Sequence, residues 1–236
     1  MRESPEPDGE DLRAPRRSGS RLPRLSLITG DFTDPADLAL RARLALQGGV
    51  RWIQLRARQL AARDLYDGAV ILRSLTRDFD ATLIVNDRVD VALAVGADGV
   101  HLPSSGLAPA DVRALVGDGL LIGLSVHSQK EIETAADQGL DYVQFGPVYD
   151  TPSKRVFGPP QGSAALAAAA AAAHAEGLFL VAVGGTAPSR VTEIAAAGAD
   201  AIATIGAIWN AADVRGAAQE FVMTVGAVYA SRRGTE

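Results

Sequence analysis

One unit recurs along this chain: a helical stretch, a glycine, then a β-rich run. It appears as ALQGGVRWIQLR (45–56), AVGADGVHL (94–102), ADQGLDYVQF (136–145) and AAGADAIATI (196–205). Each glycine suits a helix C-terminus, where a left-handed backbone costs it little. The runs that follow are rich in Val, Ile and Leu, as strands covered on both faces require. Eight strands are predicted near 24–29, 51–56, 82–86, 98–102, 121–126, 141–146, 179–183 and 201–205. Helical spacing fills the intervals near 34–47, 61–78, 87–95, 109–116, 128–138, 163–175, 188–197 and 213–230. Eight alternations at this spacing predict an α/β fold, a single (β/α)8 TIM barrel over about 24–230. A doubly wound open sheet is the competing solution. The count of eight and the lack of an early Gly-x-Gly-x-x-Gly turn argue against it.

Residues 1–23 are rich in Pro, Gly, Ser and mixed charge and offer almost nothing to bury, which predicts a disordered leader. Its five acidic residues argue against a transit peptide. A net charge of -5 disfavours a general nucleic-acid binder. The absence of cysteine excludes disulfides and thiolate metal sites. No apolar run is long enough for a bilayer and no signal core stands near the start, so no membrane partner and a cytoplasmic location are expected. Homo-oligomerisation is left open.

In this fold chemistry sits at the C-terminal ends of the strands. Strand two ends with Gln54, Arg56 and Arg58 alternating on one face. Guanidiniums at a barrel mouth call for an anion, or for a structural ion pair. Strand three ends in Asn86 and Asp87. Asn86 reads either as a helix N-cap or as a ligand contact, and Asp87 either as a first-turn acid or as a magnesium ligand. His101 falls within strand four and reads as a packed histidine. In LIGLSVH (121–127), alternation puts Gly123, Ser125 and His127 on one face. Imidazole titrates near neutrality, which makes His127 an acid/base candidate. His174 belongs to an alanine-rich helix and reads as a surface residue. The loop after strand six carries Thr151, Ser153 and Lys154, two hydroxyls and an ammonium suited to a phosphate, in a Pro/Gly-rich lid over 149–162. Gly184 and Gly185 follow strand seven, and Ile205 and Gly206 close strand eight. Barrels commonly bind phosphate through backbone N–H groups at these two ends. The residues alone thus predict a barrel enzyme acting on a small phosphorylated anion.

The strings QLRAR, NDRVDVALAVGADGVHL, IGLSVHS, ADQGLDYVQFGPVYDTPSK and VAVGG, with the GAD-to-GAI stretch at strand eight, together resemble the thiamine-phosphate synthase superfamily over about 24–210. That resemblance implies one of two activities on a phosphorylated thiazole. A synthase couples hydroxymethylpyrimidine diphosphate to thiazole phosphate, with Mg²⁺ holding the diphosphate. A TenI-like thiazole tautomerase aromatises a carboxythiazole phosphate by proton transfer and needs no cofactor. The synthase pattern HLGQxDL after strand four supplies a second magnesium carboxylate, whereas here the string is HLPSSGL and Gly106 stands at that position. Arg58 replaces the usual Lys, and Ser-Val-His-Ser resembles the tautomerase segment whose His shuttles the proton. These departures lead to the expectation of a tautomerase with His127 as its base. Asn86, Asp87, Thr151, Ser153 and Lys154 match the synthase, which is the alternative, with Asp87 then the metal ligand. A non-catalytic phosphate sensor is the third reading.

Overall fold

Alternating short apolar strands and helices close on themselves in the computed structural model, which describes residues 22–151 and 160–233. The strands are β1 (Leu25–Ile28), β2 (Trp52–Leu55), β3 (Thr82–Asn86), β4 (Gly99–Leu102), β5 (Leu121–Val126), β6 (Tyr142–Phe145), β7 (Phe179–Val183) and β8 (Ala201–Thr204). All pair in parallel with their sequence neighbours, and β8 returns to β1, giving a closed barrel rather than an open sheet.

The helices are α1 (Pro35–Gln47), α2 (Ala62–Asp78), α3 (Val89–Val95), α4 (Pro109–Val116), α5 (Gln129–Ala135), α6 (Gly162–Ala175), α7 (Val191–Ala196), α8 (Gly206–Trp209) and α9 (Val214–Arg233). The short α8 was not foreseen. It follows directly from β8, and four residues are too few for a periodic apolar pattern to register. Single 3₁₀ turns, Ala136–Gln138 and Pro188–Arg190, take up parts of the stretches predicted as longer helices. Gly96 closes α3 with φ 62, the left-handed terminus anticipated for the repeat.

Strand alternation sorts the side chains into two cores. Outward residues such as Ile53, Leu55, Val85, Val100, Ile122 and Val143 pack under the helices. Inward residues Trp52, Ile84, Leu121, Tyr142, Phe179, Val181, Ala201 and Ala203 fill the lumen, joined by Leu22. Leu22 lies within the stretch expected to be a leader, yet it is buried because it plugs the lumen. The remainder of that leader, residues 1–21, lies outside the described residues. Gly123 has no room for a side chain, since a Cβ there would come 2.0 Å from Tyr142 Cζ. The Tyr142 ring therefore fills the lumen beside β5, edge-on to Trp52 and stacked on His101. No described helix is long and apolar enough to cross a membrane.

The N-terminal rim repeats one device. Asp98, Asp141 and Asp200 precede β4, β6 and β8. Each carboxylate accepts a backbone N–H from the strand before it: Leu83, Ile122 and Leu180, at 2.8–2.9 Å. Each also meets a basic side chain: Arg73 at 2.6 Å, Arg113 at 2.7 Å, and for Asp200 both Arg24 and the ring of His174. His174 is thus a half-exposed structural partner, consistent with its surface reading.

Candidate active site

Above the apolar lumen lies a polar layer. Gln144 Nε2 donates to Gln54 Oε1 at 2.8 Å, and Gln54 Nε2 donates to Asn86 Oδ1 at 3.2 Å. Beside Asn86, on β4, His101 Nε2 lies 2.8 Å from Ser125 Oγ and its Nδ1 lies 3.2 Å from the Tyr142 hydroxyl. Burial, and then the charge of Arg56, push the His101 imidazole down to about 3, so it is neutral. Its reading as a packed histidine holds, although it packs inside the barrel. Asn86 is not a helix N-cap. Its side chain is committed to the layer, and α3 begins three residues later, after Arg88. Gln144 and Tyr142 were missed. The alternation on β6 that buries Val143 and Phe145 outward already places both inward.

The mouth opens above this layer. Arg56 stands on the inward face of β2, its backbone N–H held by Thr29 Oγ1 at 2.9 Å. Burial, then the neighbouring Arg58, lower the pKa of its guanidinium. Among the described residues no carboxylate forms a close ion pair with Arg56 or Arg58, although the charge of Asp31 acts on Arg56 against both of these effects. Asp87 occupies the left-handed region at φ 68, with its N–H bound to the His101 carbonyl at 2.8 Å. An Asp tolerates that conformation better than most residues but still at a cost, a pattern that clusters at functional sites. Its side chain is exposed, and the Arg88 guanidinium turns to Asp90 instead.

His127 stands one residue beyond β5, which ends at Val126. Its ring does not cap the helix. Ser128 does that, accepting from the Glu131 N–H at 3.2 Å, while Glu131 accepts from the His127 N–H. The His127 ring reaches across to β6, 2.6 Å from the Gly146 carbonyl. A carbonyl can only accept, so Nδ1 carries a proton in this contact, and among the described residues no hydrogen bond reaches Nε2.

Gly184 and Gly185 take φ 99 and 65, conformations that disfavour a Cβ. A Cβ on Gly184 would also strike Pro147, and one on Gly185 would strike Asp150 O and Tyr149, each at 2.7 Å. The loop after β6 therefore lies flush on the loop after β7. Ile205 precedes α8, and Gly206 opens it, where a Cβ would meet only the Asn210 side chain at 3.4 Å. Thr151 belongs to the described chain, whereas Ser153, Lys154 and most of the predicted lid lie outside the described residues.

A diphosphate-bound Mg²⁺ would find one carboxylate here, Asp87. Gly106 closes a turn, its N–H bound to Pro103 O at 2.9 Å, and it contributes no oxygen from a side chain. No group of three His, Cys, Asp or Glu able to hold a metal occurs among the described residues. This donor set fits Mg²⁺ only when a substrate supplies several of the oxygens, as it commonly does at phosphate sites.

Residues 25–208 match the family described as TMP-TENI, thiamine monophosphate synthase. The chain belongs to this family. Among TMP-TENI relatives, the thiamine-phosphate synthase of Methanoculleus marisnigri is 45% identical over 192 residues, 81% of this chain and 90% of its own. Thiamine-phosphate synthase 1 of Aquifex aeolicus is 41% identical over 194 residues, 82% and 88% of the two chains. The solved thiamine phosphate pyrophosphorylase of Pyrococcus furiosus superimposes with TM-score 0.76 at 34% identity, covering 87% of this chain and 96% of that one. The TMP-TENI barrel described here is thus an enzyme fold of thiamine biosynthesis. These relatives carry the synthase name, which reverses the order expected from Gly106 and His127.

Proposed function

We propose that the protein is a thiamine-phosphate synthase. It would couple hydroxymethylpyrimidine diphosphate to thiazole phosphate and release diphosphate. The observation that carries this reading is Asp87, an exposed carboxylate held in a left-handed conformation just past β3, the strand that pairs with β2 below Arg56. A carboxylate able to hold a metal ion serves a departing diphosphate, and proton transfer on a thiazole does not call for one. Similarity to synthases over most of the chain supports the same choice.

In the coupling, the bond between the pyrimidine methylene carbon and the diphosphate oxygen breaks. The thiazole nitrogen supplies the electron pair of the new carbon–nitrogen bond. Negative charge grows on the leaving oxygen, and Arg56 and Arg58 are placed to stabilise it. Asp87 would hold Mg²⁺, which when bound offsets diphosphate charge. The Gln144–Gln54–Asn86 relay offers fixed amide donors and acceptors to the pyrimidine ring. Gly185 and Gly206 would present N–H groups to the thiazole phosphate, with α8 adding its N-terminal dipole. No step needs a base, so His127 would border the mouth without exchanging a proton. The reaction would proceed in the cytoplasm with soluble substrates.

A tautomerase is the second reading, favoured by the free Nε2 of His127 and the missing carboxylate at Gly106. One assay separates them. Purified protein is mixed with both synthase substrates and Mg²⁺, and in parallel with carboxythiazole phosphate and EDTA. Thiamine phosphate in the first tube only is expected. Isomerisation in the second tube, with no coupling in the first, would sink the synthase reading.

A further inference from the structure

The geometry points to Arg190 as a positioning residue for the phosphate end of the substrate, acting through the backbone of the loop after β7. The inference rests on thiazole phosphate as the substrate that this loop receives. Three successive residues of the loop are pinned by different elements. Gly184 O accepts the Tyr149 N–H at 3.0 Å, from the loop after β6. Gly185 O accepts from Arg190 Nη1 at 3.1 Å, from the 3₁₀ turn before α7. Thr186 Oγ1 donates to Ala203 O at 2.8 Å, on β8.

A peptide unit is planar and trans, so a fixed carbonyl fixes the N–H of the next residue in the opposite direction. Tyr149 thereby orients the Gly185 N–H, and Arg190 orients the Thr186 N–H. Glycines with positive φ are otherwise the freest part of a chain. Binding an anion with them would require ordering them first, unless they are already held.

Arg190 is itself held. Its guanidinium carbon lies 4.0 Å from the centre of the Tyr149 ring. Burial, followed by the neighbouring Glu193, pushes the pKa of the Tyr149 hydroxyl up to about 12, so the ring stays neutral. The planar guanidinium can stack on that ring and donate from its edge to Gly185 O at the same time. A lysine ammonium has the charge but neither the plane nor the fork. Arg190 and Tyr149 thus form one clamp joining the loops after β6 and β7.

The test compares Arg190→Lys, Tyr149→Leu and the double variant, reading KM for each substrate and calorimetric affinity for thiazole phosphate. Loss of the clamp is expected to weaken thiazole phosphate about tenfold, in KM and Kd, the order of one charge-assisted hydrogen bond. KM for the pyrimidine diphosphate should stay within about twofold, because only the phosphate loop has loosened. The double variant should lose no more than the worse single one, as for a pair acting as a unit. Wild-type affinity in Arg190→Lys would overturn the proposal in favour of a simple charge effect. A parallel rise in both KM values would overturn it in favour of general damage, and so would multiplying losses. If the wild type binds thiazole phosphate but does not couple it, the synthase reading fails and the calorimetric comparison alone decides the clamp. Failure of the wild type to bind thiazole phosphate overturns the clamp as well.

Discussion

The two ends of this barrel are built on opposite plans. At the N-terminal rim one device repeats at β4, β6 and β8: a Gly-x-Asp whose carboxylate takes a strand N–H and a cation. At the C-terminal rim nothing repeats. Two unpaired arginines close β2, a strained aspartate closes β3, a histidine follows β5, and glycines follow β7. The regular end pairs its three repeated carboxylates internally. Among the described residues, the irregular end leaves Arg56 and Arg58 without a close ion pair, which stabilises nothing until a ligand arrives. Periodicity in the sequence thus reports what holds the barrel, and breaks in the periodicity report what it does.

The largest expected effect lies at the regular end. Asp141→Ala strips Arg113 and the Ile122 N–H of their shared acceptor, and should cost about 3 kcal/mol of unfolding free energy, as breaking a largely buried pair does. Chemical denaturation measures this, and kcat/KM of the surviving folded protein should be unchanged. A kinetic defect in a folded Asp141→Ala would break the division between the ends. Arg56→Met should do the converse. Turnover should fall by about a hundredfold or more with stability equal or higher, because a half-buried unpaired cation has been removed. Asp87→Asn should lose about tenfold, part of it recovered at high Mg²⁺, and the relaxed conformational demand should leave unfolding unaffected.

An effect that is smaller per pH unit connects the two plans. His101 is neutral in the fold, with a pKa of about 3 against an ordinary 6.5. The unfolded chain therefore binds the extra proton between those values, and stability falls as pH drops through that window, by at most about 1.4 kcal/mol per unit. His101→Gln should flatten that part of the stability–pH curve, and a curve identical to wild type would place the acid sensitivity elsewhere. The smallest effect is expected at His127. His127→Ala should change coupling by less than about threefold, whereas a proton shuttle would lose at least about a hundredfold.

Strand alternation and the eightfold count made the barrel, its closure and the shared faces of Gln54 with Arg56 and of Gly123 with Ser125 legible before any coordinates. What stayed hidden depends on contacts distant in sequence. Gln144 looks like any strand residue until β2 is known to face it across the lumen. The repeated aspartates drew no reading of their own, because their strand partners lie 15 to 20 positions away. Tyr149 and Arg190 meet only because the loops after β6 and β7 lie together. The order of the two chemistries turned on a single residue in a similar way. Gly106 was read as a missing metal ligand, but Mg²⁺ can take most of its oxygens from substrate, a balance that a single residue does not report.

The central claim is that the irregular end expels diphosphate. Phosphorus NMR of the purified protein with pyrimidine diphosphate, thiazole phosphate, carboxythiazole phosphate and Mg²⁺ tests it in one tube. Free diphosphate should appear in step with thiamine phosphate, and EDTA should stop both. Conversion of the carboxythiazole phosphate with no diphosphate released would contradict the account.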